Sequence, residues 1–245
     1  MSDHTVDAFY SGRIMVYQPK QGFRAGTDSL LLASALDHFT EGEALEVGCG
    51  AGGALLPAAH RLKRARLVGL EVDPAMAALA ERGVETNRFE DRVEIVQGNA
   101  NDLSETWHNR FDLVFSNPPF FELGTIQAPG LGKEAAYLES ITLKDWINAM
   151  LFALRPKGTF VMVHRAADLA RILSVIERQA GEIAVLPIHS YPGSDAKRVL
   201  VRARKGLRSG PMRLLEPRHL YEEKGGERAG WTLAMQRDGA GIDWN

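Results

Sequence analysis

The chain contains 245 residues with a mass of 26.9 kDa, a size that fits one large α/β domain or one domain with a small appendage. Apolar residues make up 45% of the sequence and charged residues 24%, a globular balance that excludes a disordered chain. The formal net charge of −2 excludes a uniformly basic nucleic-acid coat protein, and the single cysteine, Cys49, excludes a disulfide framework within the chain.

Neither a membrane segment nor a secretory signal is predicted. The longest charge-free apolar stretch covers residues 29–36 and is far too short to span a bilayer. The first residues include two acids and no apolar core, unlike a signal peptide. The histidines show no metal-ligand spacing, so no metal site is predicted. We therefore expect a cytoplasmic, enzyme-sized protein.

Predicted strands and helices alternate along most of the chain. Apolar alternation predicts a strand at 13–17, and Thr27 with Asp28 predicts the start of a helix reaching about residue 38. Strands are then predicted at 44–47, 67–72, 93–97, 113–115, 159–164, 183–188 and 197–204, and helices at 54–63, 74–87, 143–154 and 167–179. This order predicts βαβ units, a mostly parallel sheet with helices on both faces, and a ligand site at the carboxyl ends of the strands.

The chain is expected to form one domain overall, in three parts. Residues 1–38 are predicted to form an N-terminal hairpin and a first helix that pack on the core, and residues 39–205 to form the core itself. Residues 206–245 are predicted to be a C-terminal tail that begins with basic residues. The weakly periodic stretch 121–139 is expected to be a lid or a binding loop.

A glycine-rich loop follows the strand at 44–47 and leads into a helix. Glycines allow the sharp turn and the close approach of a ligand. Gly48, Gly50 and Gly53 fit a dinucleotide-binding fingerprint, whereas Glu46, Gly48, Gly50 and Gly52 fit the acidic glycine loop of S-adenosylmethionine (SAM) enzymes. The carboxylate of Glu46 suits a cationic ammonium and opposes a pyrophosphate. A plain tight turn between strand and helix is the remaining alternative.

Two further polar residues end neighbouring predicted strands. Glu71 is placed to accept hydrogen bonds from both hydroxyls of a ribose, although a solvated acid at a strand end is the alternative. Asp73 is predicted to cap the next helix. Asn99 follows the third strand of the alternation and is expected beside an adenine ring, or else to be a simple turn residue.

The sequence Asn117-Pro118-Pro119-Phe120 follows Ser116, one residue after the predicted strand at 113–115. Two consecutive prolines fix the backbone and remove two N–H donors, which leaves the Asn117 side-chain oxygen and the Pro118 carbonyl as rigid acceptors. Two acceptors that hold both protons of a conjugated amine would favour a pyramidal nitrogen and direct its lone pair at an electrophilic methyl group. Phe120 would offer a flat face to a planar substrate. A chance proline pair in a surface turn is the alternative.

These motifs, in this order, resemble the class I SAM-dependent methyltransferases that modify amino groups. The segment 18–33 (QPKQGFRAGTDSLLLA) is similar to the corresponding segment of the bacterial tRNA1(Val) adenine-37 N6-methyltransferase-like proteins, a small-domain methyltransferase group. The resemblance extends over about residues 12 to 215. It implies a Rossmann-like fold with a seven-stranded, mostly parallel sheet whose last strand is antiparallel and follows a hairpin at 191–196.

The resemblance also implies roles for individual residues. The cofactor, SAM, would be contacted by residues at the two edges of its cleft: Glu46, Gly48, Gly50, Gly52, Glu71, Asn99 and Asn117 on one side, with Arg24, Gly26 and Thr27 closing over it. Asn117 and Pro118, within the motif completed by Pro119 and Phe120, would hold the target amine. The usual aspartate on the adenine side is Asn99 here, and the usual tyrosine of the tetrapeptide is Phe120.

Positive charge is concentrated on one segment. Residues 197–213 contain seven basic residues and no acidic one, a plausible footprint for an RNA backbone. Arg198, Arg202, Arg204 and Lys205 are the predicted nucleic-acid contacts, with a solvated strand face as the alternative. Since a base must be unstacked to enter a pocket, an anticodon loop is a suitable target.

The leading hypothesis is therefore N6-methylation of an adenine in the anticodon-loop region of tRNA. The predicted partner is tRNA or another structured RNA, with no membrane and no obligate protein partner. Methylation of guanine N2 in ribosomal RNA or of a protein glutamine is the alternative within the same enzyme class. An RNA-binding module with structural SAM and an NAD-linked oxidoreductase also remain open, although the latter leaves the proline pair unexplained.

Overall fold

A computed structural model describes residues 4–21, 24–36, 41–119, 141–208 and 210–244. The predicted loop 121–139 and Phe120 lie outside the described residues. The strands are β1 His4–Phe9, β2 Ile14–Pro19, β3 Gly42–Val47, β4 Ala65–Glu71, β5 Val93–Gln97, β6 Phe111–Ser116, β7 Leu154–Arg165, β8 Ala180–His189, β9 Ala196–Lys205, β10 Arg213–Leu214 and β11 Arg218–His219. The α-helices are α1 Thr27–Ser34, α2 Leu55–Arg61, α3 Pro74–Thr86, α4 Leu143–Ala153, α5 Leu169–Ile176 and α6 Gly230–Asp238.

The central sheet has the order β10-β8-β9-β7-β6-β3-β4-β5, with β11 also paired to β8. All of its strands run parallel except β9, which lies antiparallel between β7 and β8. The seven long strands confirm the predicted sheet, including its antiparallel last strand. The two-residue strands β10 and β11 were not predicted, because two residues show no alternation.

Helices cover both faces of this sheet. On one face, Ala44 and Leu67 belong to a core that includes the apolar residues of α1 and α2. On the other, Leu45 and Val68 pack with the apolar side of α4 and α5. Strands buried on both faces must be apolar in consecutive positions, which is why they read as short continuous runs in the sequence. The arrangement leaves the loops at the carboxyl ends of the strands to form a site.

The N-terminal hairpin of β1 and β2 packs against α3. The side chain of Asn87, which follows α3, accepts a hydrogen bond from Met15 N at 2.9 Å and donates one to Met15 O at 2.8 Å. The Tyr17 hydroxyl lies 3.1 Å from Thr86 Oγ1, and the Arg82 guanidinium lies 4.3 Å from the centre of the Tyr17 ring. These contacts fix the hairpin against α3. The predicted division of the chain at residues 38 and 205 remains a prediction.

The C-terminal residues form part of the main core. Trp244 is 5% exposed, and its indole Nε1 donates a hydrogen bond to Ala35 O at 2.8 Å. Ile242 N donates to Ser34 O at 2.7 Å, so both bonds satisfy carbonyls at the end of α1. The Arg202 guanidinium lies 4.9 Å from the centre of the Trp244 ring. This segment therefore holds α1, and with it one wall of the candidate site, in place.

We expect Trp244→Ala to lower the free energy of unfolding by about 3 kcal/mol or more, because it removes a buried aromatic ring and a hydrogen bond to a helix end. Urea unfolding measures the effect. Leu214→Ala is the control: Leu214 is 65% exposed, so its truncation should change stability by less than about 0.5 kcal/mol. Equal stability of both variants would contradict a structural role for the C-terminal segment.

Among the described residues, no helix combines the length and the apolar character needed to cross a membrane.

Candidate active site

The glycine loop connects β3 to α2 at the carboxyl edge of the sheet. Gly48, Gly50 and Gly52 have φ values of +71°, +54° and +83°, a region that side chains with a Cβ rarely adopt. The backbone N–H groups of Gly48 and Cys49 both donate to Leu70 O, at 2.9 and 3.0 Å. The loop is therefore a tight turn anchored to β4, and its glycines are required by backbone conformation.

Glu46 distinguishes this loop from a plain turn. Its side chain is 2% exposed, and Oε2 has no hydrogen-bond partner among the described residues. Burial, reinforced by the nearby charge of Glu71, raises the pKa of the Glu46 carboxyl well above its ordinary value. A buried carboxylate without a counter-charge is costly, and a cationic ligand would offset that cost. The site thus fits the ammonium group of SAM and disfavours a pyrophosphate.

Glu71 ends β4 beside the same loop. Its Oε2 accepts a hydrogen bond from Gly50 N at 2.7 Å, and its Oε1 accepts from Val72 N and Asp73 N at 2.9 Å each. Burial raises the pKa of the Glu71 carboxyl, while these backbone donors act in the opposite direction. The carboxylate is held rigidly at the edge of the sheet, and its ribose contact remains a prediction. Asp73 caps α3 through Ala75 N at 2.8 Å, as predicted.

Asn99 occupies the turn after β5. Its side-chain oxygen accepts a hydrogen bond from Asn101 N at 2.9 Å and caps a short 3-10 turn. The geometry is that of a turn asparagine. Its position next to the end of β5 still places it on the carboxyl edge with Glu71, because Glu71 pairs with Gln97 in the sheet. The contact with adenine remains a prediction.

Asn117 immediately follows β6 and opens onto a cavity of about 190 Å³. Arg24, Gly26, Thr27, Asp28 and Ser29 complete the lining of that cavity. The structure thus brings together Asn117 and the three residues predicted to close over the cofactor. Pro118 is buried and Pro119 half-buried beside it.

The segment that faces Asn117 is tied to the N-terminal hairpin. Arg24 donates to Asp7 Oδ2 at 2.7 Å, Thr5 Oγ1 at 2.8 Å and Pro19 O at 2.9 Å. Ala25 packs directly on the glycine loop, since a Cβ added to Gly53 would lie 2.1 Å from the Ala25 Cβ. The hairpin therefore sets where this segment crosses the loop.

A larger groove of about 590 Å³ runs along α4, from Ala100 to Lys205. Among the described residues, its lining lacks Asn117, and the lining of neither cavity includes the glycine loop. Of these two cavities, the smaller one is the candidate site, because Asn117, the predicted acceptor residue, belongs to its lining.

The predicted RNA-binding residues do not form one cluster. Arg198 lies at the carboxyl edge, where its Nε donates to Asp28 Oδ2 at 2.8 Å, so it borders the candidate site. Arg202 contacts Trp244, and Arg204 Nε donates to Lys157 O at 2.8 Å. Lys205 Nζ donates to the carbonyls of Leu151 and Leu154 at the end of α4, at 2.5 and 2.7 Å.

The separation follows from the direction of β9. At about 3.3 Å per residue, Arg198 and Lys205 lie on the order of 20 Å apart, at opposite edges of the sheet. Burial lowers the pKa of the Lys205 ammonium, which donates hydrogen bonds to Asn109 Oδ1 and to two backbone carbonyls. Arg198 bonds to Asp28, which lines the cavity together with Asn117. RNA binding by any of the four residues remains a prediction.

Two residues beside the site carried no motif in the sequence. Ser116 and Trp146 are buried and hydrogen-bonded to each other at 3.0 Å, below the glycine loop. The sequence alone favours a packing role for Trp146 over a role as a stacking platform. In the sequence, the one signal for burial of Trp146 is its position three residues after Leu143, in the first turn of α4.

Comparison with known proteins identifies the family to which the chain belongs. The methyltransferase small domain family model matches residues 21–185. A Porphyromonas gingivalis protein named tRNA1(Val) (adenine(37)-N6)-methyltransferase is 31% identical over 208 residues, 79% of each chain. A Musicola paradisiaca protein of the same name is 27% identical over 201 residues, 81% of each chain.

Solved structures agree on the fold. A structure from Agrobacterium tumefaciens, described as a predicted O-methyltransferase, superposes with a TM-score of 0.72 at 25% identity and covers 88% of this chain and 98% of its own. M. jannaschii TYW2, solved with AdoMet, superposes with a TM-score of 0.58 at 13% identity, over 83% of this chain and 86% of its own. The chain therefore belongs to the methyltransferase small domain family and has the fold of the class I SAM-dependent methyltransferases.

Proposed function

We propose that this enzyme transfers a methyl group from SAM to N6 of an adenine in the anticodon-loop region of a tRNA. The observation that carries the proposal is the position of Asn117, directly after β6 and on the wall of the cavity closed by residues 24–29. The names of the relatives support tRNA as the substrate class and adenine N6 as the acceptor. A cytoplasmic location is part of the same proposal.

The chemistry requires only acceptors and positioning. When bound, SAM supplies an electrophilic methyl group. The Asn117 side-chain oxygen and the Pro118 carbonyl would each accept one proton of the exocyclic amine, which draws the nitrogen lone pair out of conjugation and aligns it for attack. An N–C bond forms as the C–S bond of the donor breaks, and the amine loses one proton to solvent or through these acceptors. Neither a metal ion nor a strong base is needed in this scheme.

The surroundings of the acceptors favour this role. Ser116, just before Asn117, is fully buried and hydrogen-bonded, so the strand end is fixed. Pro118 and Pro119 cannot donate backbone hydrogen bonds, and the local backbone therefore presents acceptors to a ligand that brings donors. An amine has the required two donors, whereas a target hydroxyl has only one. That difference favours nitrogen over oxygen as the methyl acceptor.

Incubation of the protein with total RNA and methyl-labelled SAM tests the proposal. We expect label in N6-methyladenosine from the tRNA fraction after nucleoside analysis. Label in N2-methylguanosine from ribosomal RNA, or in protein glutamine, would overturn the substrate assignment within the same chemistry. Binding of SAM without transfer to any fraction would instead support an RNA-binding module with a structural ligand. Asn117→Ala protein is the control for contaminating activities.

A further inference from the structure

Two buried hydrogen bonds meet at Ser116, the last residue of β6 and the residue before Asn117. The Ser116 hydroxyl donates to Val47 O, the last residue of β3, at 2.7 Å. The same oxygen accepts a hydrogen bond from the Trp146 indole Nε1 at 3.0 Å. A hydroxyl has one proton to donate, so the Trp146 bond leaves it directed at Val47. The three residues thus form one ordered relay.

The relay begins where the backbone pairing of β3 and β6 ends. The pairs between these strands are Ala44 with Leu113, Leu45 with Val114 and Glu46 with Phe115. One residue further along each strand, the connection is made by the Ser116 side chain. Immediately beyond that point the chains become the glycine loop on one side and Asn117 on the other. The relay therefore bridges the two segments at the position where the sheet no longer aligns them.

Trp146 also contacts the glycine loop through its ring. A Cβ added to Gly48 would lie 2.7 Å from Cζ2 of Trp146, which means that the ring packs directly on the Gly48 backbone. The helix start that presents the ring is well defined, because Thr142 Oγ1 accepts a hydrogen bond from Asp145 N at 3.1 Å and Trp146 N donates to Thr142 O at 2.9 Å. The Trp146 side chain therefore contacts the glycine loop directly and also contacts Ser116, at the end of β6.

We propose that Trp146 and Ser116 are positioning residues that set the distance between the methyl donor and the target amine. The inference rests on the proposed function, in which the glycine loop holds the donor and Asn117 holds the amine. Neither residue needs to contact the reacting atoms. Transfer rates are sensitive to such alignment, and a misplacement of about 1 Å can cost on the order of 100-fold. Loss of the relay allows the two segments to shift relative to each other while each keeps its own fold.

Trp146→Phe and Ser116→Ala test the inference. Trp146→Phe keeps an aromatic ring against Gly48 and removes the indole donor. We expect each variant to lower kcat about tenfold, measured in single turnover at 25 °C, while SAM affinity by calorimetry changes less than about threefold. The double variant should be no more than about twofold slower than Ser116→Ala, because both changes break the same relay. Ser116→Thr keeps a hydroxyl and should recover part of the rate.

Trp107→Phe is the matched control. Trp107 lies before β6, with its ring 5.4 Å from that of Phe111. Among the described residues, the tryptophan that contacts Gly48 and Ser116 is Trp146 and not Trp107. Its kcat and SAM affinity should equal those of the wild type. Thermal unfolding of every variant shows whether a rate loss merely follows a loss of stability.

An unchanged kcat in folded Trp146→Phe, or a loss confined to SAM affinity, would overturn the positioning role. If the wild type methylates an acceptor other than tRNA adenine, the proposed function is overturned. The positioning role is then tested on that acceptor, by the ratio of variant to wild-type rates. Absence of transfer by the wild type to RNA and protein alike would overturn both.

Discussion

Asn117→Ala is expected to lower kcat for methyl transfer by about 100- to 1,000-fold, the loss typical of removing one well-placed hydrogen-bonding group from a reaction centre. The Asn117 oxygen is one of only two acceptors in the proposed scheme, and water cannot replace it with the same geometry. Affinity for SAM should fall much less, because Glu46 and the glycine loop remain. Single-turnover kinetics with labelled SAM and tRNA, together with calorimetric titration of SAM, separate the two quantities.

A second variant at position 117 tests whether the acceptor oxygen itself is required. Asn117→Asp keeps an acceptor oxygen and should retain more activity than the alanine variant. Asn148→Ala is the matched control: Asn148 lies on α4, where its Oδ1 accepts a hydrogen bond from Gln179 at 3.3 Å, and its loss should leave kcat unchanged. If Asn117→Ala keeps wild-type kcat, Asn117 does not hold the amine and the proposed mechanism is wrong.

The parts of the site that could be predicted from the sequence are those with short-range signals. Three motifs can each be recognised from a few consecutive residues: the glycine turn after a buried strand, Glu71 at the end of the next strand, and the Asn-Pro-Pro sequence. Their meeting at one edge follows from the parallel sheet, since all the carboxyl ends lie together. Apolar runs in the sequence predicted the seven long strands, whereas the antiparallel direction of β9 was implied by the resemblance to class I methyltransferases.

The parts that could not be predicted depend on contacts between distant segments. Trp244 bonds to Ala35 across 209 residues, and nothing near it in the sequence distinguishes it from a residue in a free tail. The sequence predicts Lys205 to contact nucleic acid, yet its ammonium donates hydrogen bonds to carbonyls at the end of α4. The composition of a segment gives its net charge, whereas the register of β9 decides which of its basic side chains lie near Asn117. The Ser116–Trp146 bond likewise required the packing of α4 on the sheet.

Glu46→Gln is expected to weaken SAM binding about 10- to 100-fold and at the same time to stabilise the protein without ligand. The carboxylate is buried, and its Oε2 has no hydrogen-bond partner in the part of the chain that the structure describes, so its charge is unfavourable until a cation arrives. Glutamine keeps the shape and removes the charge, which takes away both the cost in the free protein and the attraction for the ligand ammonium. Calorimetric titration with SAM and urea unfolding without SAM measure the two effects, which have opposite signs.

The pH dependence distinguishes this explanation from a simple change in packing. The pKa of Glu46 is raised in the folded state, so folding favours its protonated form. Its contribution to the free energy of unfolding is therefore fully present below the ordinary carboxyl pKa and is lost as the pH rises toward the higher folded pKa. The stability advantage of Glu46→Gln should therefore be near zero at about pH 4 and grow toward neutral pH. SAM affinity of the wild type should fall on acidification, when Glu46 takes up its proton, while that of the variant should change less.

Glu43→Gln supplies a control on the same strand with the opposite sign. Glu43 accepts two hydrogen bonds from Arg110, at 2.9 and 3.0 Å, and this contact lowers the pKa of its carboxyl. Its contribution is therefore present above the ordinary carboxyl pKa and is lost in acid, so Glu43→Gln should slightly destabilise the protein at neutral pH and leave SAM affinity unchanged. Equal SAM affinity in Glu46→Gln and Glu43→Gln would mean that the buried carboxylate does not face the cofactor, since only a charge in contact with the ammonium can account for a difference between two glutamates three residues apart.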